Sequence, residues 1–202
     1  MCSDNISGII LAGGSSSRLG QNKALIHVAG CSLIERVVRV LRPLVSEVLL
    51  VTQSGSAAPG LFSDLDLPTV SDVYPEVGTL GGLHAGLDAI HTEYGLVVGC
   101  DMPFLNADLL RYMISQARGY DVVMPRIGKY HEPLHALYSR RCVPAMECSI
   151  QSGRRRILHA LSGARIRYIE DAEIDRFDPE HLSFYNVNTP EELERARALL
   201  AP

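Results

Sequence analysis

The chain has 202 residues, 47% of them hydrophobic, and a formal net charge of -4 from 19 Lys+Arg and 23 Asp+Glu, which is enough for one domain with a substantial core and short for two. An acidic balance with no basic run beyond Arg154-Arg155-Arg156 argues against a nucleic-acid surface as the main partner, and no apolar stretch approaches the roughly 20 residues of a membrane span. The polar opening residues, Asp4 among them, carry no secretory signal, so a cytoplasmic protein is expected; the five cysteines are odd in number, form no C-x-x-C pair and mostly read as small core residues.

Residues 8–11 have the apolar, β-branched character of a buried parallel strand, and the chain then breaks into a glycine- and serine-rich loop that contains Arg18 and Lys23. Gly13 and Gly14 permit backbone angles that a Cβ disfavours, so loop N–H groups can turn toward an anion. Arg18 can fork across two phosphate oxygens and Lys23 can add a point charge, which predicts a polyphosphate site. The pattern G-G-x-x-x-R-x-G-x-x-K matches neither G-x-G-x-x-G nor G-x-x-x-x-G-K-[ST]. An ordinary strand-to-helix turn with its cations in water is the alternative reading.

Ser32 and Glu35 form a capping box for a helix with Leu33, Ile34, Val37, Val38 and Leu41 on one stripe, closed before Pro43. Strands follow at residues 47–52 and 68–72, a helix at 80–90, and a strand at 94–100 that runs into Asp101. Asn106 caps a helix with Leu109, Leu110, Met113, Ile114 and Ala117 inward; residues 121–124 and 134–138 read as strands, and 140–180 resist assignment. Thr189, Pro190 and Glu192 start a terminal helix to Leu200.

This alternation predicts an α/β fold in three layers, a mostly parallel sheet with helices on both faces, as a single domain over 1–202. Ligands of such sheets sit beyond the carboxyl ends of the strands, so the loops after Leu11, Val70 and Cys100 should converge and bring Lys23, Asp72 and Asp101 together. Carboxylates beside a phosphate loop make sense if Mg²⁺ bridges them, because it binds one or two carboxylates together with phosphate oxygens and water. Asp101, at a strand end before Met102-Pro103, is the better placed metal ligand; both aspartates also have an ordinary reading as turn residues. A second glycine cluster contains Gly78, Gly81, Gly82 and Gly86, where each helical glycine costs on the order of 1 kcal/mol relative to alanine. A purine lying over this turn explains it, and so does tight packing of the helix on the sheet.

His131-Glu132-Pro133-Leu134-His135 formally matches the H-E-x-x-H zinc pattern, but that pattern needs a helix and Pro133 forbids one. As loop into strand, the histidines would share a face roughly 13 Å apart, too far for one zinc.

Taken together, these residues resemble the molybdenum cofactor guanylyltransferases, within the Rossmann-like nucleotidyltransferases. The resemblance rests on Leu11-Ala12-Gly13-Gly14 with Arg18, Gly20 and Lys23, on residues 78–87, on Asp101-Met102-Pro103, on residues 132–138 and on Asn186-Val187-Asn188-Thr189-Pro190, and it covers nearly the whole chain. It implies transfer of GMP from GTP to the terminal phosphate of molybdopterin, with or without molybdenum, release of pyrophosphate and a need for Mg²⁺. The N-terminal half would bind nucleotide through Leu11, Ala12, Gly13, Gly14, Lys23 and Asp72, with Gly78 and Gly82 beneath the base; Asp101 would hold the metal. Arg18 and Lys23 would stabilise the departing pyrophosphate, with no protein nucleophile. The acceptor would bind in the C-terminal half, where Arg154, Arg155 and Arg156 are the expected cationic patch and a solvated arginine face the ordinary alternative. Thr79 replaces a usual proline, Gln53 a frequent asparagine, and guanine rather than cytosine rests on Gly13, where cytidylyl relatives tend to carry alanine. Transfer of CMP, or of a nucleotide to a sugar phosphate, stays open, as does a non-catalytic GTP-binding role in cofactor delivery. An oxidation-sensitive pterin favours direct hand-over to other cofactor-biosynthesis proteins or apo-molybdoenzymes, which no residue identifies.

Overall fold

The opening strand, β1 (Ile6–Leu11), is buried along its whole length. A strand of that kind needs cover on both faces, which is the condition of a central parallel strand. The computed structural model describes residues 5–13, 22–53 and 62–201; Gly14 and Arg18 lie outside them. After β1 come a hairpin of β2 (His27–Val28) and β3 (Cys31–Ser32), helix α1 (Leu33–Leu41), strands β4 (Glu47–Gln53) and β5 (Thr69–Asp72), α2 (Thr79–Ala89) and β6 (Tyr94–Gly99). The second half holds α3 (Ala107–Ser115), β7 (Val122–Ile127), β8 (Tyr130–His131), β9 (His135–Ser139), α4 (Val143–Gln151), α5 (Ile157–Ala160), β10 (Ile166–Glu170), α6 (Asp171–Ile174) and α7 (Pro190–Leu199).

The main sheet runs β10-β7-β9-β6-β1-β4-β5, with β8 paired to β7. β1 pairs in parallel with β4 and β6, β4 with β5, and β7 with β10; β9 is antiparallel to both its neighbours. The expected mostly parallel sheet is therefore present, with β9 inverted inside it and the two-residue β8 antiparallel to β7 at its margin, directions the residue pattern did not disclose. Because β9 is inverted, its start lies at the same edge as the ends of β1, β4, β5, β6, β7 and β10.

Pleating sends alternate residues of β1 to two cores. Ile6 and Ile10 join α1 and α3 residues such as Ile34, Leu41 and Leu109, while Ile9 and Leu11 join α2, α4 and α5 residues such as Leu83, Met146 and Ile157. Those are the three layers. The Ser32 and Glu35 box caps α1, Asn106 caps α3 through the amides of Asp108 and Leu109, and Thr189 and Glu192 box α7. A third cluster, with Ile26, Leu33, Val187 and Leu193, seats α7 against the β2–β3 hairpin. The stretch that resisted assignment folds as α4, α5, β10 and α6, elements mostly too short for a period to register. No helix among the described residues is long and apolar enough to cross a membrane.

The glycines of α2 divide by what lies beneath them. A Cβ on Gly86 would meet Ile9 Cγ2 at 2.6 Å and Val51 Cγ2 at 3.0 Å, so this glycine lets the helix sit directly on the sheet. A Cβ on Gly82 would find only ordinary contacts at 3.8 Å. Gly86→Ala should therefore destabilise by about 1–3 kcal/mol through overpacking, although alanine is the better helix former. Gly82→Ala should stabilise by about 0.5–1 kcal/mol. Urea denaturation midpoints of the two variants, moving in opposite directions, check both.

Candidate active site

The chain runs outward from β1 to β4 and β5 and returns on the far side of β1 as β6, which places a topological switch point between β1 and β6. A cavity of about 410 Å³ opens at the carboxyl ends of these strands, a volume typical of small-molecule sites. Of the residues expected at a site, Leu11, Gly13, Lys23, Asp72, Gly78, Gly82 and Asp101 line it. Lys23, Asp72 and Asp101 therefore meet, as the strand-end argument required. Ala12 is placed differently: it is not among the lining residues, and its N–H donates to the Val51 carbonyl at 2.8 Å, prolonging the sheet. Arg154, Arg155 and Arg156 are exposed at the start of α5 and are not among the lining residues either.

At one wall of the site a cation is held between two acceptors. Asn22 caps the single turn Lys23–Leu25 by accepting from the Ala24 amide at 3.1 Å. From that turn Lys23 Nζ donates to Asp101 Oδ2 at 2.5 Å and to Asn188 Oδ1 at 3.0 Å. Asp101 is buried, and its own carbonyl accepts from the Val187 N–H at 3.0 Å. Val187 is fully buried in the third core cluster, and Asn186 and Asn188 on either side of it line the cavity. The amides of Asn188 and Thr189 donate to Glu192 Oε2 at 2.7 and 2.9 Å, so the box that caps α7 also fixes this segment. The role of these asparagines was not read from the residues, although the N-V-N-T-P run was noticed; the signal was polar residues alternating around one apolar residue beside a capping box.

Two glycines make room for the two carboxylates. A Cβ on Gly99 would lie 2.6 Å from Asp101 Oδ1, and one on Gly81 would lie 2.7 and 2.8 Å from the Asp72 oxygens. Asp72 is buried and its Oδ1 accepts from the Tyr74 N–H at 2.7 Å. Burial pushes its carboxyl above the usual range, opposed by that amide. Gly78, at φ +75°, makes the turn into α2, so Thr79 in place of proline leaves the turn intact. Gln53 lines the cavity, and its Nε2 reaches the Pro75 carbonyl at 3.5 Å.

No three His, Cys, Asp or Glu side chains cluster as a metal cage among the described residues. Mg²⁺ does not require one, since a carboxylate or two, substrate phosphates and water complete its octahedron. Asp101, with Asp72 on the wall of the same cavity, is a donor set of that kind. Cys100, just before Asp101, is buried, and burial with the neighbouring carboxylate pushes its thiol up to about 12. It is held protonated and is no nucleophile.

Residues 8–166 match the family described as the MobA-like NTP transferase domain. A probable molybdenum cofactor guanylyltransferase of Pelotomaculum thermopropionicum is 38% identical over 192 residues, covering 95% of this chain and 92% of its own. A molybdenum cofactor guanylyltransferase of Desulfosudis oleivorans is 35% identical over 199 residues, covering 98% and 96%. The crystal structure of molybdopterin-guanine dinucleotide biosynthesis protein A from Archaeoglobus fulgidus aligns with a TM-score of 0.82 at 30% identity, covering 96% of this chain and 97% of that one.

The two histidines of the H-E-x-x-H run are separated by a turn at Pro133 and Leu134, so they do not lie on one strand face as expected. His131 contacts the Tyr168 ring at 5.2 Å and His135 contacts Phe184 at 4.8 Å, in different cores. His135 is fully buried, and burial lowers its pKa from 6.5 to about 4, opposed by the Asp178 carboxylate and the Ser183 backbone. A depressed folded-state pKa means stability that is complete above the unfolded value and is lost as the pH falls from 6.5 toward about 4. His135→Leu should flatten the stability-against-pH curve in that window, measured by urea denaturation; an unchanged slope would place the acid-sensitive group elsewhere.

Proposed function

The chain belongs to the MobA-like NTP transferase domain family, and on that premise we propose that it transfers GMP from GTP to the terminal phosphate of molybdopterin and releases pyrophosphate. The observation that carries this reading is the Lys23 ammonium held between Asp101 and Asn188 on the wall of the strand-end cavity. An ammonium has three donors; two are spent on Asp101 and Asn188, and a third would serve a phosphate oxygen. The triphosphate would lie along Leu11 and Gly13, with the base over Gly78 and Gly82, where the absence of side chains lets a flat ring approach. Asp72 would meet the nucleotide from the β5 side.

Nucleotidyl transfer asks for positioning and charge compensation rather than covalent chemistry. An oxygen of the acceptor phosphate attacks the α-phosphorus in line as the bond to the β-phosphate oxygen breaks. Lys23 compensates charge on the leaving pyrophosphate, and Asn188 keeps it aimed as that charge develops. Bound on Asp101, Mg²⁺ would offset charge on the α- and leaving phosphates. The inert Cys100 thiol beside Asp101 agrees with direct transfer.

Asp101→Asn should fold as the parent does and lose about 10²–10³-fold in pyrophosphate release with GTP and molybdopterin. Chelation by EDTA should abolish release by the parent, and added Mg²⁺ should restore it; CTP in place of GTP should give little product. A folded Asp101→Asn protein working at the parental rate would remove the proposed metal and phosphate site.

A further inference from the structure

Beyond the cavity, the same edge of the sheet carries a partly exposed ledge that the reading so far does not use. Leu134, just before β9, lines the cavity and packs into the core beneath α2. Two strand spacings away, roughly 10 Å, lies β10. There Tyr168 faces that same core side, and the Arg126 guanidinium sits 4.7 Å above its ring. Glu170 grips Arg126 through two hydrogen bonds of 3.1 and 2.6 Å, so the guanidinium plane is fixed and its charge answered. The His131 ring stands 5.2 Å from Tyr168 at 54°. The β7–β8 turn at Gly128 is tied to Asp171 Oδ2 through its N–H at 3.0 Å, which keeps the ledge in place.

Between ledge and cavity stands Glu132. Its N–H donates to the Pro125 carbonyl at 3.1 Å and its carbonyl accepts from His135 N–H at 3.1 Å, so its backbone is fixed. Its carboxylate has no hydrogen bond or ion pair among the described residues, and burial alone pushes it up. A partly desolvated acid left without a partner inside the chain is an acceptor for donors from outside it. Arg126 being neutralised by Glu170, the ledge does not suit a second phosphate. It suits a flat, uncharged heterocycle with adjacent N–H donors on one edge, the hydrogen-bonding pattern of a 2-amino-4-oxo pteridine.

We propose that Arg126, His131 and Tyr168 form the platform for the acceptor's pterin ring and that the Glu132 carboxylate accepts from its amino and ring N–H groups. This rests on the guanylyl-transfer reading and deepens it, giving the acceptor a seat on the same sheet edge as the cavity that Lys23 and Leu134 line. The exposed Arg154, Arg155 and Arg156 then have no part in holding the ring.

Steady-state pyrophosphate release with GTP and molybdopterin tests this on Glu132→Gln, Tyr168→Leu and Tyr168→Phe. Glu132→Gln removes a charge that burial penalises, so it should be at least as stable as the parent in urea. Its KM for molybdopterin should rise about 10-fold or more, since the amide presents a donor where an acceptor is needed, with kcat and the KM for GTP within about twofold. Tyr168→Leu should raise the same KM, and Tyr168→Phe, which keeps the ring, should restore it. An unchanged molybdopterin KM in Glu132→Gln and Tyr168→Leu overturns the seat while leaving guanylyl transfer standing. No transfer by the parent protein overturns both.

Discussion

The ion pair of Lys23 with Asp101 is the constraint on which the rest of the site depends. It ties the turn after β1 to the end of β6, and Asn188 and Val187 tie both to the segment before α7. Side-chain exposures of 22% and 10% mean that both charges are largely withdrawn from water, where desolvation offsets much of the attraction. The pair is thus a weak source of stability. Its value lies in holding charge of both signs, already oriented, where a polyphosphate would need it.

Around that pair the fold gives up stability in small amounts. Gly81 and Gly99 leave space that carboxylates fill, and Asp72 sits where burial disfavours its charged form. Glu132 shows the same pattern further along the edge. On the opposite side of the balance, β1 is covered on both faces and Gly86 brings α2 onto the sheet, so the polar edge stands on a close-packed base. The membership of the chain in the MobA-like NTP transferase family agrees with this division between a buried scaffold and a polar strand edge.

Much of this was legible in the residues. The strands of the first half and the capped helices α1, α3 and α7 announced themselves through apolar runs and capping residues, and the strand-end rule was sufficient to bring Lys23, Asp72 and Asp101 together. What stayed hidden has physical reasons. An apolar run such as residues 134–138 looks the same in either direction, so the inversion of β9 was unreadable. Elements of four or five residues, such as α5 and β10, are too short for a period to register. Asn186 and Asn188 reach the cavity through the burial of Val187, a tertiary contact with Ile26, Leu33 and Leu193 that no local pattern encodes. The arginine run drew attention by charge alone, and it stands exposed, apart from the residues that line the cavity.

The most direct test of the central claim is a crystal structure with a non-hydrolysable GTP analogue and Mg²⁺. The account predicts the triphosphate beside Leu11 and Gly13, a phosphate oxygen within hydrogen-bond reach of Lys23 Nζ, and the metal on an Asp101 oxygen. A nucleotide bound away from this edge, or an Asp101 still paired to Lys23 with no metal upon it, would contradict it.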